Sequence, residues 1–173
     1  MNNPTAIANR PVAPLGLRDK EFYLWSAVFI LGNLALPQLC HLAALGGPVW
    51  LPIYFCTLLA AARYGWQVGT LTALLSPLLN HALFAMPPTA ALPVILVKSL
   101  LIAGLAPLLV RKFALLPALA LTVISYQLLG SVLEALTVAP AAAFADFRLG
   151  WPGLLVQLFG SWLVLKLWRK QSQ

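Results

Sequence analysis

Residues 89 to 112 read TAALPVILVKSLLIAGLAPLLVRK, and this run decides the fold. Apart from Lys98 and Ser99 its interior is apolar or small, and it closes on Arg111 and Lys112. At ~1.5 Å rise per residue, a helix of this length crosses the ~30 Å hydrocarbon core of a bilayer. A helix also satisfies its own backbone polar groups where no water is at hand. Stretches of the same character run roughly 22 to 43, 49 to 62, 66 to 84, 115 to 138 and 150 to 167. The second is the shortest, so it spans only by tilting little, thinning the bilayer or borrowing from Gly46-Gly47-Pro48. With 61% hydrophobic and 9% charged residues, against roughly a quarter charged in soluble domains, the chain is expected to be an all-α polytopic membrane protein. The expected architecture is one six-transmembrane-helix bundle.

The basic residues orient it. Arg10, Arg18 and Lys20 precede the first stretch, Arg63 follows the second, Arg111 and Lys112 follow the fourth, and Lys166, Arg169 and Lys170 close the sixth. Only Arg148 falls in an opposite gap. The positive-inside rule then predicts both termini cytoplasmic, with the gaps near 44 to 48, 85 to 88 and 139 to 149 facing outward. The net charge of +7 is spread along one membrane face without an aromatic-interleaved patch, so lipid headgroups rather than nucleic acid are the expected counter-charge. Residues 1 to 17 carry three prolines and no long apolar run, and read as a flexible cytoplasmic segment ahead of a single membrane domain over 18 to 173. Cys40 and Cys56 lack CxxC spacing and read as small packing groups.

Small residues recur every four positions at Gly65, Gly69 and Ala73 and at Ser99, Ala103 and Pro107, ridges that let helices approach closely, with packing inside the bundle expected for at least one. Pro37, Pro77, Pro93 and Pro107 fall inside apolar stretches, where each removes a backbone hydrogen bond. Pro37 and Pro77 stand in the outward halves of their helices, and with Pro48 and Pro52 they predict an irregular outer half and a regular inner half.

Polar groups in hydrocarbon cost several kcal/mol unless paired or facing a wet cavity, so their places carry information. Lys98 is expected ~13 Å from the outward end of its helix, and Glu134 near the outward end of the next, with Gln127 two turns deeper on the same face. A Lys98 to Glu134 pair is within reach, either as a packing device or as part of a ligand site. Ser76 and Asn80 share one face of the third helix, with His81 turned about 100 degrees away. His41 and His81 are too few for a structural zinc site and lack HExxH spacing, so no metal is expected. Trp50 and Tyr54 stand four apart after the Gly-Gly-Pro turn and either stack on a flat ligand or belong to the interface belt, with ligand contact favoured for Trp50, whereas Trp151, Trp162 and Trp168 are read as interface belt or packing. The candidate substrate-binding set is therefore Trp50, Tyr54, Asn80, His81, Lys98, Gln127 and Glu134.

Enzymatic signatures are poor. There is no Walker loop or paired acidic metal motif, Phe159-Gly160-Ser161-Trp162 lacks the second glycine of a nucleophile elbow, and the chain has four acidic residues in all. A binding subunit that borrows its motor, with no cofactor of its own, is the expected class. A non-transporting membrane subunit or assembly factor is the alternative, and a small intramembrane enzyme needs a metal or haem.

The runs Gly46-Gly47-Pro48-Val49-Trp50-Leu51-Pro52-Ile53-Tyr54, Tyr64-Gly65 and Leu74-Leu75-Ser76-Pro77-Leu78-Leu79-Asn80, followed by Ala85-Met86-Pro87-Pro88, resemble substrate-binding S components of energy-coupling factor (ECF) transporters. The resemblance is specific through roughly residues 25 to 112 and architectural beyond. It implies a subunit in a bacterial or archaeal plasma (inner) membrane that captures a vitamin or similar micronutrient outside. Such a subunit docks on a transmembrane scaffold driven by two ATPases and topples to release the ligand inward. The chain departs from the Ala-x-x-x-Ala docking ridge of many S components: Ala27 is followed four residues on by Leu31, and Ala35 by Leu39. The Gly65-Gly69-Ala73 ridge then becomes an alternative docking surface.

Overall fold

The computed structural model describes the backbone of residues 14–42, 47–137 and 140–171. In chain order these form α1 (Lys20–Leu42), a single turn α2 (Gly47–Trp50), a 3-10 turn (Pro52–Tyr54), α3 (Phe55–Tyr64), α4 (Trp66–Phe84), α5 (Leu92–Lys112), α6 (Leu115–Thr137), α7 (Pro140–Leu155), a π-helical segment (Val156–Gly160) and α8 (Ser161–Gln171). No strand occurs among the described residues. α1, α5 and α6 are each long and apolar enough to cross a membrane. Large apolar side chains line the outside, including Leu24 and Leu31 on α1 and Leu121, Ile124, Leu128 and Val132 on α6, which is how a helix surface solvated by lipid is composed.

The centre of the bundle is α3. From Cys56 to Ala62 every residue is buried, and Ala60, Ala61 and Ala62 are small enough for α4, α5 and α1 to close around it. Protein therefore surrounds the short second stretch over Cys56 to Ala62. It is also not one helix. Pro52 disfavours the right-handed helical region for the residue before it, and Leu51 adopts a left-handed conformation (φ 46°, ψ 46°) that separates α2 from the 3-10 turn leading into α3. A left-handed leucine is strained, so surrounding contacts must hold it.

Both small-residue ridges lie inside the bundle. A Cβ on Gly69 would fall 2.7 Å from Ala61 Cβ and 3.4 Å from Ala103 Cα, and Ala73, Ser99, Ala103 and Pro107 are buried. The Gly65-Gly69-Ala73 ridge is thus a packing seam and not a docking surface, whereas Ala27, Leu31, Ala35 and Leu39 on α1 are exposed.

Two further expectations need correction. Pro93 sits in the first turn of α5, where its missing N–H is not needed, whereas Pro37, Pro77 and Pro107 do lie within helices. The expected gap at 139 to 149 is largely helix, since α7 starts at Pro140 and places Arg148 on it. Of the expected flexible segment, residues 1 to 13 lie outside the described residues, but Leu15 donates to the Tyr64 carbonyl at 3.1 Å and Pro14 packs on the Gly65 turn. There the chain closes the gap where α3 hands over to α4.

The two ends of the bundle differ. At one, Trp25 stacks on Tyr64 (4.9 Å between centroids), Trp168 meets Trp25 edge-on (5.2 Å), and the Arg63 guanidinium lies 5.6 Å from the Trp168 ring. Trp162 carries the Lys166 ammonium over its ring at 4.5 Å, so these tryptophans pack and bind cations. Burial, and after it the neighbouring Arg63, holds Arg169 below the usual arginine range. At the other end the backbone is irregular, with left-handed Leu51 and Ala85, the 3-10 turn and the proline-rich connection into α5.

Candidate functional site

The irregular end encloses a cavity of about 450 Å³. Its walls come from Pro37 and His41 on α1, the Leu51–Tyr54 segment, Asn80 on α4, the Ala85–Pro88 connection, Val94, Ile95 and Lys98 on α5, and Glu134 on α6. Most of this lining is apolar, with a few polar groups converging on it, the usual make-up of a small-molecule site.

Beside it runs a buried amide and hydroxyl network. Asn33 lies mid-way along α1, and its Nδ2 donates to Thr57 Oγ1 (2.9 Å) and Ser76 Oγ (3.2 Å). Its Oδ1 accepts from the Cys56 N–H at 3.1 Å. Cys56 is in the first turn of α3, where backbone donors lack helical partners, so α3 receives its N-terminal cap from a different helix. Asn80 Nδ2 donates to the Asn33 and Ser76 carbonyls (2.9 and 3.1 Å), which locks the amide, and its buried Oδ1 has no partner among the described residues. α1, α3 and α4 are thereby tied together under Asn80, which reaches the cavity.

The charges stand on the α5 and α6 wall. Lys98 Nζ meets Glu134 Oε2 at 3.2 Å, with the lysine side chain 2% and the carboxylate 18% exposed. Lys98 is six residues into α5 because the helix starts at Leu92, so it lies ~9 Å from that end rather than ~13 Å. Glycine at 130 makes the pairing geometry accessible: the Lys98 stem lies flat on the α6 backbone there.

A third wall is held from the π segment. Gln157 Oε1 accepts from the Tyr126 hydroxyl at 2.6 Å, and its Nε2 donates to the Leu51 carbonyl at 3.2 Å. Tyr126 in turn packs on Tyr54 with ring centroids 5.3 Å apart. These contacts hold the strained Leu51 turn in place, and the π segment, which widens the helix by one residue, delivers the amide that does so.

Of the residues singled out in the sequence, Tyr54, Asn80, Lys98 and Glu134 border the cavity together. Trp50 does not, being half-buried on α2, whose backbone packs against Gly153 of α7. His81 does not either: its Nδ1 lies 2.7 Å from the Pro87 carbonyl, which only accepts, so Nδ1 carries the proton and the imidazole braces the Ala85–Pro88 connection. Gln127 is fully buried on α6, below the cavity. Asn33 and Gln157 went unremarked in the sequence, although a lone amide inside an apolar stretch is the signal that singled out Asn80. Cys40 and Cys56 are free thiols, and no metal-binding cluster of histidine, cysteine and carboxylate occurs among the described residues. Among the described residues the arrangement offers hydrogen-bonding groups and an ion pair at a largely apolar cavity. No family model matches the chain, and no curated protein or solved structure matches it either.

Proposed function

We propose that this protein is the substrate-binding membrane subunit of an ATP-driven importer of the energy-coupling factor type, capturing a vitamin or related micronutrient. In this reading six helical segments cross a bacterial or archaeal plasma membrane with both termini cytoplasmic, and the cavity opens outward. The observation that carries it is the cavity itself: about 450 Å³, mostly apolar, walled by an irregular end of the bundle and holding Lys98, Glu134 and Asn80. The basic residues Arg63, Arg111 and Lys166 to Lys170 belong to the opposite end, in keeping with a cytoplasmic placement of that end. The sequence holds no nucleotide-binding loop, so energy is assigned to a scaffold subunit and two ATPase subunits.

The test is uptake against binding. Cells expressing the chain alone should show saturable retention of the small molecule that travels with the purified protein, identified by native mass spectrometry, but no concentrative uptake. Adding scaffold and ATPases should produce uptake, and accumulation by the chain alone would refute the assignment. A non-transporting membrane subunit is the second reading, favoured by the fact that Lys98 and Glu134 already satisfy each other. Under it no small molecule travels with the protein.

A further inference from the structure

One line of exposed residues on α5 begins at a cation and is apolar or small below it. Arg111, Leu108, Gly104, Leu100 and Val97 follow one another at three- and four-residue steps, which puts them on one face of the helix, and all five are exposed. A Cβ at Gly104 would meet nothing within 4 Å, so the line is dented at its middle. From Arg111 to Leu100 it runs ~16 Å, about the depth of one leaflet of a ~30 Å hydrocarbon core.

At the head of this line Arg111 borders a narrow groove of about 10 Å³ together with Arg63, Pro14, Gly65 and Pro107. That is room for one water-sized oxygen. Arg63 is half-buried, with its guanidinium 5.6 Å from the Trp168 ring and 6.0 Å from the Tyr64 ring, and Arg169 is close enough to feel its charge. Among the described residues no carboxylate lines the groove. Asp19 accepts from the Gly16 N–H at 2.7 Å, and Glu21 is exposed in the first turn of α1. Guanidinium groups brought together in this way suit a phosphate, whose oxygens accept paired N–H bonds. Trp66, next to Gly65, and Phe113, two residues beyond Arg111, are 58% and 45% exposed, as aromatic side chains are where headgroups meet hydrocarbon. A soluble anion would gain from neither the aromatic rim nor the apolar line.

We infer that this corner of the bundle binds one anionic phospholipid, with its phosphate at Arg63 and Arg111 and an acyl chain along Leu108, Gly104 and Leu100. It is a single site, distinct from the diffuse attraction of a basic face to headgroups. It needs only that this end of the protein lie at a membrane surface, so it stands or falls apart from the solute cavity.

Native mass spectrometry of the full chain in detergent, supplied with equal amounts of dioleoyl phosphatidylglycerol and dioleoyl phosphatidylcholine, reads the preference. The phosphatidylglycerol is expected to be retained about fivefold over the phosphatidylcholine, the weight of roughly one basic residue beside an anionic headgroup. Arg111→Gln is expected to abolish that preference, whereas Lys112→Gln, which removes the same charge one residue on and outside the groove, should leave it. A phosphatidylglycerol with a diazirine in its acyl chain should label residues 97 to 108 ahead of the exposed faces of α1 and α6. Equal retention of the two lipids, or equal losses in the two variants, overturns the inference, the second by showing diffuse attraction only. Displacement of the lipid by millimolar inorganic phosphate or glycerol 3-phosphate would assign the groove to a free phosphate and overturn the lipid assignment. Labelling spread evenly over α1, α5 and α6 would overturn it as well. If Arg111→Gln does not fold, the lipid competition and the labelling of the unaltered chain decide.

Discussion

Replacing Asn33 by leucine, which keeps the branched side-chain skeleton with bulkier apolar ends, removes the cap that α1 lends to α3. The Cys56 N–H then lies buried with no acceptor, at a cost of about 1 to 3 kcal/mol. The Thr57 and Ser76 hydroxyls each lose a bond worth about 0.5 to 1.5 kcal/mol. Water cannot stand in for the lost amide, because the site is enclosed by protein and Asn33 has no exposure. The extra apolar contact of leucine offsets part of this, leaving an expected loss of about 2 to 4 kcal/mol. Asn33→Asp keeps an acceptor for Cys56 and two hydroxyls able to donate to it, but buries a charge, and should be no better than leucine unless protonated. The buried Cys56 thiol reports the loss directly: in a Cys40→Ala background, its reaction with a thiol-specific fluorophore during a thermal ramp should begin at a lower temperature in Asn33→Leu. Unfolding by sodium dodecyl sulfate from mixed micelles gives the free energy. A change below about 0.5 kcal/mol, the size of a typical neutral surface substitution, would show that the cap contributes nothing and that packing alone holds α1 on α3.

Other consequences are independent of that one. Lys98→Met should cost less than Glu134→Gln, about 1 against about 3 kcal/mol, because Glu134 at 18% exposure reaches solvent once alone whereas Lys98 at 2% does not; the double change should recover most of the loss in a stability cycle, and equal single costs would contradict the burial difference. Gly130→Ala should destabilise by about 1 to 3 kcal/mol through collision with the Lys98 stem, yet stabilise in a Lys98→Ala background, where the ~1 kcal/mol helix propensity gain of alanine is all that remains; an unchanged sign in that background would remove the stem from the account. Gln157→Leu should loosen the Leu51 turn and be read as faster proteolysis or amide exchange across residues 50 to 54, with exchange at α1 unaffected. Single cysteines at positions 46 and 86 should react with an impermeant thiol reagent from one side of the membrane and those at 63 and 111 from the other, and labelling of 46 and 63 from the same side would end the six-span topology.

The sequence by itself determined the class and the grammar of the fold. Apolar stretches long enough for a membrane specified helices, and Tyr64-Gly65 and the Ala85–Pro88 run marked the ends of α4 at the bounds the structure gives it. The cost of polar atoms in hydrocarbon made Asn80, Lys98 and Glu134 conspicuous, and one-dimensional depth was enough to bring Lys98 within reach of Glu134. What depth cannot supply is rotation about the helix axis and choice of neighbour, because a helix in an apolar medium is nearly as content against lipid as against protein and its pattern no longer points inward. Only the packed structure decided that α3 is the enclosed helix, that Gly69 and Gly130 are close-approach sites rather than features of an outer surface, and that His81 braces a turn while the backbone at Trp50 packs on Gly153 of α7. It likewise decided that Asn33 and Gln157, two unremarkable amides in the sequence, hold the cavity walls from α1 and from a π segment, since each acts through a backbone group far away in the chain, Cys56 N–H for one and the Leu51 carbonyl for the other.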